Sequence, residues 1–502
     1  MNTRRRLAAL LVVLIPLLFA VTSLARVGGG QTYSGGGSSS GGSSGGGSGG
    51  GEIIFYFIRF LFWLTFHYPL IGIPVDIVVI YVVYRYLNRQ GGSSTQTIKS
   101  LRVTPEATAG TGAVNFDALR RFDPNFSEIV FTDFCYALYG RAQTARGARG
   151  GLAALAPYLG ESARQNLEGR NPPGLKEIRG VVVGAFRVVS FRGIETPTVT
   201  VSIEFESNYT EVTDQNGKEV ETPWYVREQW RLERTRDILS PVPEQAGPDR
   251  CPNCGSSTEL TDDGKCRHCG VRVENGSFQW FVKTINILGK EGRGPQLTST
   301  VPEQGTDLPT VFQPRLAAAI AAFETAHPDF KWEDFEARAT MIATELQSAW
   351  SALDWDRARP HETDNLFQMH RYWISAYQRQ ALRNLVDDFT IERIEPVRIS
   401  DDAFYDSITV RLFAHGRDYT VDSSGAVVSG SKTSVRSWSE YWTFIRSRGR
   451  TGKIHGDLNC PNCGAPLKVN AAGICAYCNS KITSGDFDWV LSKIEQDESY
   501  GG

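Results

Sequence analysis

The sequence predicts an α+β protein of two tandem domains, each interrupted near its end by a four-cysteine module, behind an apolar N-terminal region. Three observations carry this reading. One composite cysteine-aromatic motif occurs twice, 209 residues apart; helical patterns precede strand patterns in both halves; and an apolar region lies ahead of them. Helices first and an antiparallel meander afterwards is the element order of α+β domains.

In the first copy Cys251 and Cys254 are followed after an eleven-residue gap by Cys266 and Cys269, then by Gly276, Phe278 and Trp280. In the second, Cys460, Cys463, Cys475 and Cys478 precede Gly485, Phe487 and Trp489 at the same spacing. Eight of the nine cysteines are thereby used. Each close pair falls on a tight turn, with Gly255, Gly270 and Gly464 just after it, so four thiolates can reach tetrahedral vertices. The expectation is two zinc ions per chain, with disulfides as the rival in an extracytoplasmic compartment. Four thiolates leave no open coordination position, and about 30 residues cannot fold on a core of their own. Each module therefore reads as a zinc ribbon that staples a long hairpin loop, with partner recognition as the sharper alternative; zinc can supply ~10–16 kcal/mol to such a fold.

Residues 1–25 open with Arg4, Arg5 and Arg6, run apolar from Leu7 to Val21 and close on Ser23-Leu24-Ala25, the pattern of a signal peptide or signal anchor. Residues 26–51 are a Gly/Ser-rich linker, a coil of roughly 27 Å r.m.s. span. Residues 52–89 are apolar but broken by Arg59, Pro69, Pro74 and Asp76. As helices, 53–66 would reach only about 21 Å and 69–87 about 28 Å, so an interfacial segment followed by one transmembrane helix is expected. Arg85 and Arg89, with Lys99 and Arg102 beyond, place the C-terminal side in the cytoplasm, where the thiols stay reduced; a hairpin of both halves would reverse this. Asp76, beside Pro74, reads as a polar group near the interface.

Composition adds an exclusion. The net charge of -2 divides into +5 on residues 1–89 and -7 on residues 90–502. A net acidic soluble portion argues against a sequence-independent nucleic-acid binder, because the phosphate backbone demands positive charge.

The two halves match beyond the cysteines. DPNFSEIVF, with Phe126 and Phe131, parallels HPDFKWEDF, with Phe330 and Phe335, each entering a helical pattern after Pro124 or Pro328. In the second half Leu366, His370, Trp373 and Tyr377 share one helical stripe. VTVSIEFESNYTEV and SITVRLFAHGRDYTV alternate as strands, and turns at Asn216-Gly217 and Ser423-Ser424-Gly425 lead back into EQWRLER and EYWTFIR. Glu228, Trp230 and Leu232 share one strand face, as do Glu440, Trp442 and Phe444. FQWFV and FDWVL beyond the ribbons read as strands again, so each ribbon is expected as an insertion at the tip of the last hairpin.

A penultimate strand with E-x-W-x-F/L and a final strand with W-x-L-x-x-I, here Trp489, Leu491 and Ile494, resemble the C-terminal domain of translocase of the inner membrane subunit 44, the mitochondrial import-motor anchor. The first copy is looser, with Leu232 and Trp280. The resemblance covers roughly 113–288 and 311–496. It implies cones of helices over a curved antiparallel sheet, similar to the nuclear transport factor 2-like fold, enclosing an apolar pocket. In that family the domain associates with anionic membrane and an upstream segment recruits a chaperone. This chain carries ribbons the family domain lacks, and a signal and Gly/Ser loop where the chaperone-recruiting segment would stand. Motor anchoring is not carried over; membrane proximity is.

The expected organisation is a signal at 1–25, a linker at 26–51, the membrane segment at 52–89 and a linker at 90–112. The first cone follows at 113–288 with its ribbon at 248–275, a linker at 289–310, the second cone at 311–496 with its ribbon at 457–482, and a tail at 497–502. No nucleophile elbow, phosphate loop or paired-carboxylate motif is present. His370 is the one attractive acid-base candidate for an isomerase- or hydratase-type pocket, set against the plainer reading of a hydrogen-bonded core histidine. Cys135 reads as a buried thiol. Arg141, Arg146 and Arg149 read as a solvated cluster or a contact to anionic headgroups. The functional expectation is a non-enzymatic, membrane-anchored binding or scaffold protein at the cytoplasmic membrane. Its expected partners are membrane lipid and membrane proteins, with a small apolar ligand as a further candidate and no nucleic acid.

Overall fold

The computed structural model describes residues 116–147, 151–261, 263–273, 277–294, 306–448, 450, 454–455, 457–470, 473–497 and 500–501. The expected signal, the Gly/Ser linker, the membrane segment and the linker at 90–112 lie outside the described residues, as does Gly276. Among the described residues no helix is long and apolar enough to cross a membrane.

The first cone begins with α1 (Asp117–Arg120), α2 (Glu128–Ala145), a 3-10 turn (Gly151–Leu155) and α3 (Glu161–Glu168). Ser127 caps α2 by accepting the Val130 amide at 3.2 Å, which fixes the helix start three residues after Pro124. Four strands follow: β1 (Leu175–Arg192), β2 (Thr198–Gln215), β3 (Lys218–Thr235) and β4 (Phe281–Glu291), antiparallel in sequence order. The β2–β3 turn is the expected Asn216-Gly217, both at positive φ (56° and 80°), which pairs Gln215 with Lys218.

The second cone repeats this with α4 (Leu316–Ala326), α5 (Trp332–Ala352), a 3-10 stretch (Trp355–His361) and α6 (Asp364–Arg379). Its strands are β5 (Arg383–Asp401), β6 (Tyr405–Val421), β7 (Val427–Gly430), β8 (Arg436–Ser447) and β9 (Val490–Gln496), in the order β5-β6-β8-β9 with β7 on β6. The turn around Gly425 does not return directly into one long strand. At Gly430 (φ 76°) the chain bulges against the Asp418 carbonyl, where a Cβ would sit at 2.2 Å, and β8 starts six residues later.

The first strand of each sheet, β1 and β5, is not announced by alternation. Each is interrupted by three or more register shifts against its neighbour, and β5 carries Pro396, tolerated because the strand is an edge. Conversely, β4 and β9 start later than FQWFV and FDWVL imply. Trp280 and Trp489 stand just before them, while Phe278 and Phe487 pack into the ribbons. Across each ribbon the strands nonetheless pair, Trp230 with Ile285 and Trp442 with Ile494.

Alternate residues of the central strands supply the inner face: Val199, Val201, Ile203 and Phe205 in one cone, Ile408, Val410, Leu412 and Ala414 in the other. The helices close over it with aromatic side chains. Tyr139, Phe205 and Trp230 lie 4.5–5.4 Å apart between ring centroids, and Phe335 meets both Phe444 and Trp489 at 5.4 Å.

The cones pack on each other through α6. Its Leu366, His370, Trp373 and Tyr377 stripe is buried in its own cone as expected. A second stripe of Asn365, Met369 and Tyr372 faces the first cone, where the Tyr372 ring lies over Gly180 and where Val182 and Tyr225 join the second core. Gly180, at φ 59° inside a β1 bulge, presents no side chain to that ring.

Candidate metal centres and the buried motif face

Each ribbon is two knuckles that aim their cysteines at a common centre. The Gly255 and Gly270 amides bond back to the Cys251 and Cys266 carbonyls at 2.9 and 2.8 Å; Gly464 and Asn479 do the same for Cys460 and Cys475 at 2.8 and 3.0 Å. All four turn residues are left-handed (φ 72°, 69°, 73° and 57°), a conformation open to Gly and, in the fourth knuckle, to Asn. The sulfur atoms within each set lie within 4.8 Å of one another. Cys251–Cys269 and Cys254–Cys266 are 4.0 Å apart and Cys460–Cys478 3.8 Å. Zinc–sulfur bonds of about 2.3 Å in a tetrahedron require a sulfur–sulfur edge of about 3.8 Å. The donor set fits a metal ion, and all nine cysteines are free rather than disulfide-bonded.

Sequence reasoning missed the asparagine of C-P-N-C. Asn253 Nδ2 donates to Cys269 Sγ at 3.4 Å, and Asn462 Nδ2 donates to Cys478 Sγ at 3.5 Å. The Asn253 amide and the Val271 backbone hold the Cys269 thiol down at about 6. The Ser480 backbone, then Asn462, hold Cys478 at about 6, while burial pushes Cys251 and Cys460 up to about 12. One thiol per ribbon, Cys269 or Cys478, is thus prepared as a thiolate, the ligand form, while Cys251 and Cys266, and Cys460 and Cys475, are buried.

The E-x-W motif also acquires a mechanism. Trp230 Nε1 donates to Glu228 Oε2 at 2.7 Å and Trp442 Nε1 to Glu440 Oε2 at 3.0 Å, so each carboxylate satisfies an indole on the same buried face. The stripe has a fourth member, Arg234 and Arg446, whose guanidinium lies 4.8 Å over Trp280 and Trp489 respectively. Their counterions differ. In the first cone Arg234 pairs with Asp123 at 2.8 Å, while Val199 stands opposite Arg234 in the ladder. In the second, His327 takes the place of Asp123, and the carboxylate is Asp406, opposite Arg446 in the ladder. Asp406 lies 3.2 Å from His327 Nε2 and 3.9 Å from Arg446 Nη2, and burial raises it above the usual carboxylate range.

His370 is enclosed. Its Nδ1 meets Glu362 Oε1 at 2.6 Å, Glu362 Oε2 accepts Trp355 Nε1 at 3.1 Å, and the Trp350 and Trp355 rings flank the imidazole. Cys135 is buried, which pushes its thiol well up. The arginine cluster is not a unit. Arg146 is buried, bonding Glu211 at 2.9 Å and Asn171 at 3.0 Å, and so can neither be solvated nor meet a headgroup; Arg149 lies outside the described residues. A cavity of about 30 Å³ at the root of the first ribbon, between Phe131, Phe134, Tyr158, Ser240 and Trp280, is far below the hundreds of Å³ that small-molecule sites occupy.

A family model described as Tim44-like domain matches residues 316–454. The match runs from α4 through β8 and stops before the second ribbon, so Trp489, Leu491 and Ile494 and the whole first cone fall outside it. None of the curated proteins matches. Among solved structures, an Ntf2 like protein involved in plasmid conjugation aligns over 74% of this chain and 97% of its own, with 8% identity and a TM-score of 0.18. The second cone thus carries a Tim44-like domain, in keeping with a membrane-associated binding or scaffold role.

Proposed function

We propose that this chain is a membrane-anchored scaffold whose two cones, each stapled by a zinc ion, present their outer surfaces to lipid or protein partners at the cytoplasmic membrane. The observation that carries this is the match of residues 316–454 to a Tim44-like domain, and the aromatic side chains packed beneath the helices of both cones turn recognition towards the outer surface. Zinc would be held by Cys251, Cys254, Cys266 and Cys269 and by Cys460, Cys463, Cys475 and Cys478, supplying rigidity rather than chemistry. The surface near Phe116, where the described chain begins, has the amphipathic character a membrane interface requires. Phe122 and Leu239 are exposed there, and Arg236 lies 4.3 Å over the Phe122 ring. Hydrogen bonds from Ser240 to Asp123 hold the two loops together. The signal, the single transmembrane helix and the cytoplasmic orientation belong to this proposal on the strength of the sequence.

Crosslinking the full-length chain in native membranes, with mass spectrometry for lipids and proteins after gentle extraction, tests it. Crosslinks from residues 116–125 or 236–242 to lipid or to membrane proteins are expected. A chain recovered in the soluble fraction without either would contradict the proposal.

A further inference from the structure

The two ribbons are indistinguishable in cysteine spacing, yet they are attached differently. The first is held by its own cone, where Tyr158 Oη donates to the Arg250 carbonyl at 2.7 Å. The second reaches the N-terminus of α6. Lys481 Nζ donates to Asp364 Oδ2 at 2.7 Å and Thr483 Oγ1 to Asp364 Oδ1 at 3.3 Å, while Arg359 pairs with the same carboxylate. Gly473 lies so tightly against this cluster that a Cβ would stand 2.9 Å from the Arg359 guanidinium. The next residue, Asn365, donates to Asp133 Oδ1 of the first cone at 2.5 Å, and Met369 and Tyr372 continue the contact along α6 to the β1 bulge at Gly180. Asp364 and Asn365 thus form one turn with the second ribbon on one side and the first cone on the other.

We infer that the second metal centre is an inter-cone clasp: its ribbon fixes the start of α6, and α6 holds the first cone against the second. The first metal centre serves its own cone. This rests on the metal reading of the ribbons and goes beyond a staple, because it makes the relative placement of the two cones depend on one of two otherwise matching sites. Loading or losing that metal would then change how the tandem pair is presented to a partner, with both sheets intact. The contacts at the clasp are partly exposed and few, the kind that open locally at a small fraction of the global free energy.

Hydrogen–deuterium exchange of the full-length chain tests this, read on peptides covering 177–185 at the β1 bulge, 128–145 in α2 and 405–421 in β6. The variants are Cys475→Ser/Cys478→Ser, Cys266→Ser/Cys269→Ser and Asp364→Ala, each with its zinc content measured. Loss of the second centre is expected to raise exchange at 177–185 at least about threefold, and loss of the first to leave the α6 side of the junction as in the parent. Asp364→Ala keeps all eight thiols. It should retain two zinc equivalents and β6 protection, yet raise exchange at 177–185. Unchanged exchange there in Asp364→Ala, or loss of β6 protection with it, would overturn the clasp. A parent chain without zinc would instead overturn the metal reading, and Asp364→Ala would still judge the contact.

Discussion

The Asp123–Arg234 pair of the first cone and the Asp406–Arg446 pair of the second place the same charge partner on different elements, and this can be tested by moving it. Asp406→Val alone reproduces Val199 but takes from the buried Arg446 the first of its two carboxylate neighbours, leaving Asp488, and breaking such a buried pair costs at most about 3–5 kcal/mol. His327→Asp alone puts a second carboxylate beside Asp406. Two charges about 4 Å apart repel by about 4 kcal/mol at an effective dielectric of 20, and proton uptake by the already raised Asp406 should trim the cost to about 1–3 kcal/mol. The double substitution restores one carboxylate per guanidinium in the first-cone arrangement. It should therefore be more stable than the sum of the singles by about 2–3 kcal/mol, a coupling well above the additivity error. Urea denaturation followed by far-UV circular dichroism, run on all four proteins, gives the coupling directly. Additive singles would refute the claim that the two positions exchange a single counterion role.

Two further outcomes follow from the buried groups. His361 is buried, and burial together with Arg338 pulls its imidazole down to about 3 from 6.5. The folded state thus stays neutral where the unfolded state takes a proton, so stability is full above about pH 6.5 and falls by about 1.4 kcal/mol per unit as pH drops toward 3, about 2 kcal/mol by pH 5. His361→Gln should lessen the shift in urea midpoint between pH 7.5 and 5; an identical shift in the variant would refute the assignment. Arg146→Met should destabilise the first cone by about 3 kcal/mol, because Glu211 is left with only Lys290 at 3.2 Å, and an unchanged melting temperature would restore the surface-cluster reading.

What the sequence made legible is what local chemistry dictates. The cysteine spacing announced both ribbons down to their knuckle glycines, the Asn-Gly dipeptide gave the β2–β3 turn, and the helical period gave the buried stripe of α6. Period-two reading found the E-x-W face but stopped before Arg234 and Arg446, which complete it two residues on. The edge strands β1 and β5 escaped because bulges reset their alternation, once at Gly180 and again near Pro396. Other features are fixed only by tertiary register. The exchange of Asp123 and Val199 for His327 and Asp406 needs the ladder to become visible, and the second face of α6, Asn365, Met369 and Tyr372, looks like an ordinary mixed surface until the first cone is laid against it. Arg146 was misread for the same reason: its partners Glu211 and Asn171 come from distant elements.

The central claim is that two matching thiolate cages organise the tandem cones, and metal content measures it most directly. The full-length chain, purified under reducing conditions and analysed by inductively coupled plasma mass spectrometry with thiol titration, should carry two zinc equivalents. It should fall to one with Cys266→Ser/Cys269→Ser or Cys475→Ser/Cys478→Ser, and Cys135 should stay unreactive while the fold is intact. Fewer than two equivalents in the parent, together with oxidised cysteines, would contradict the account.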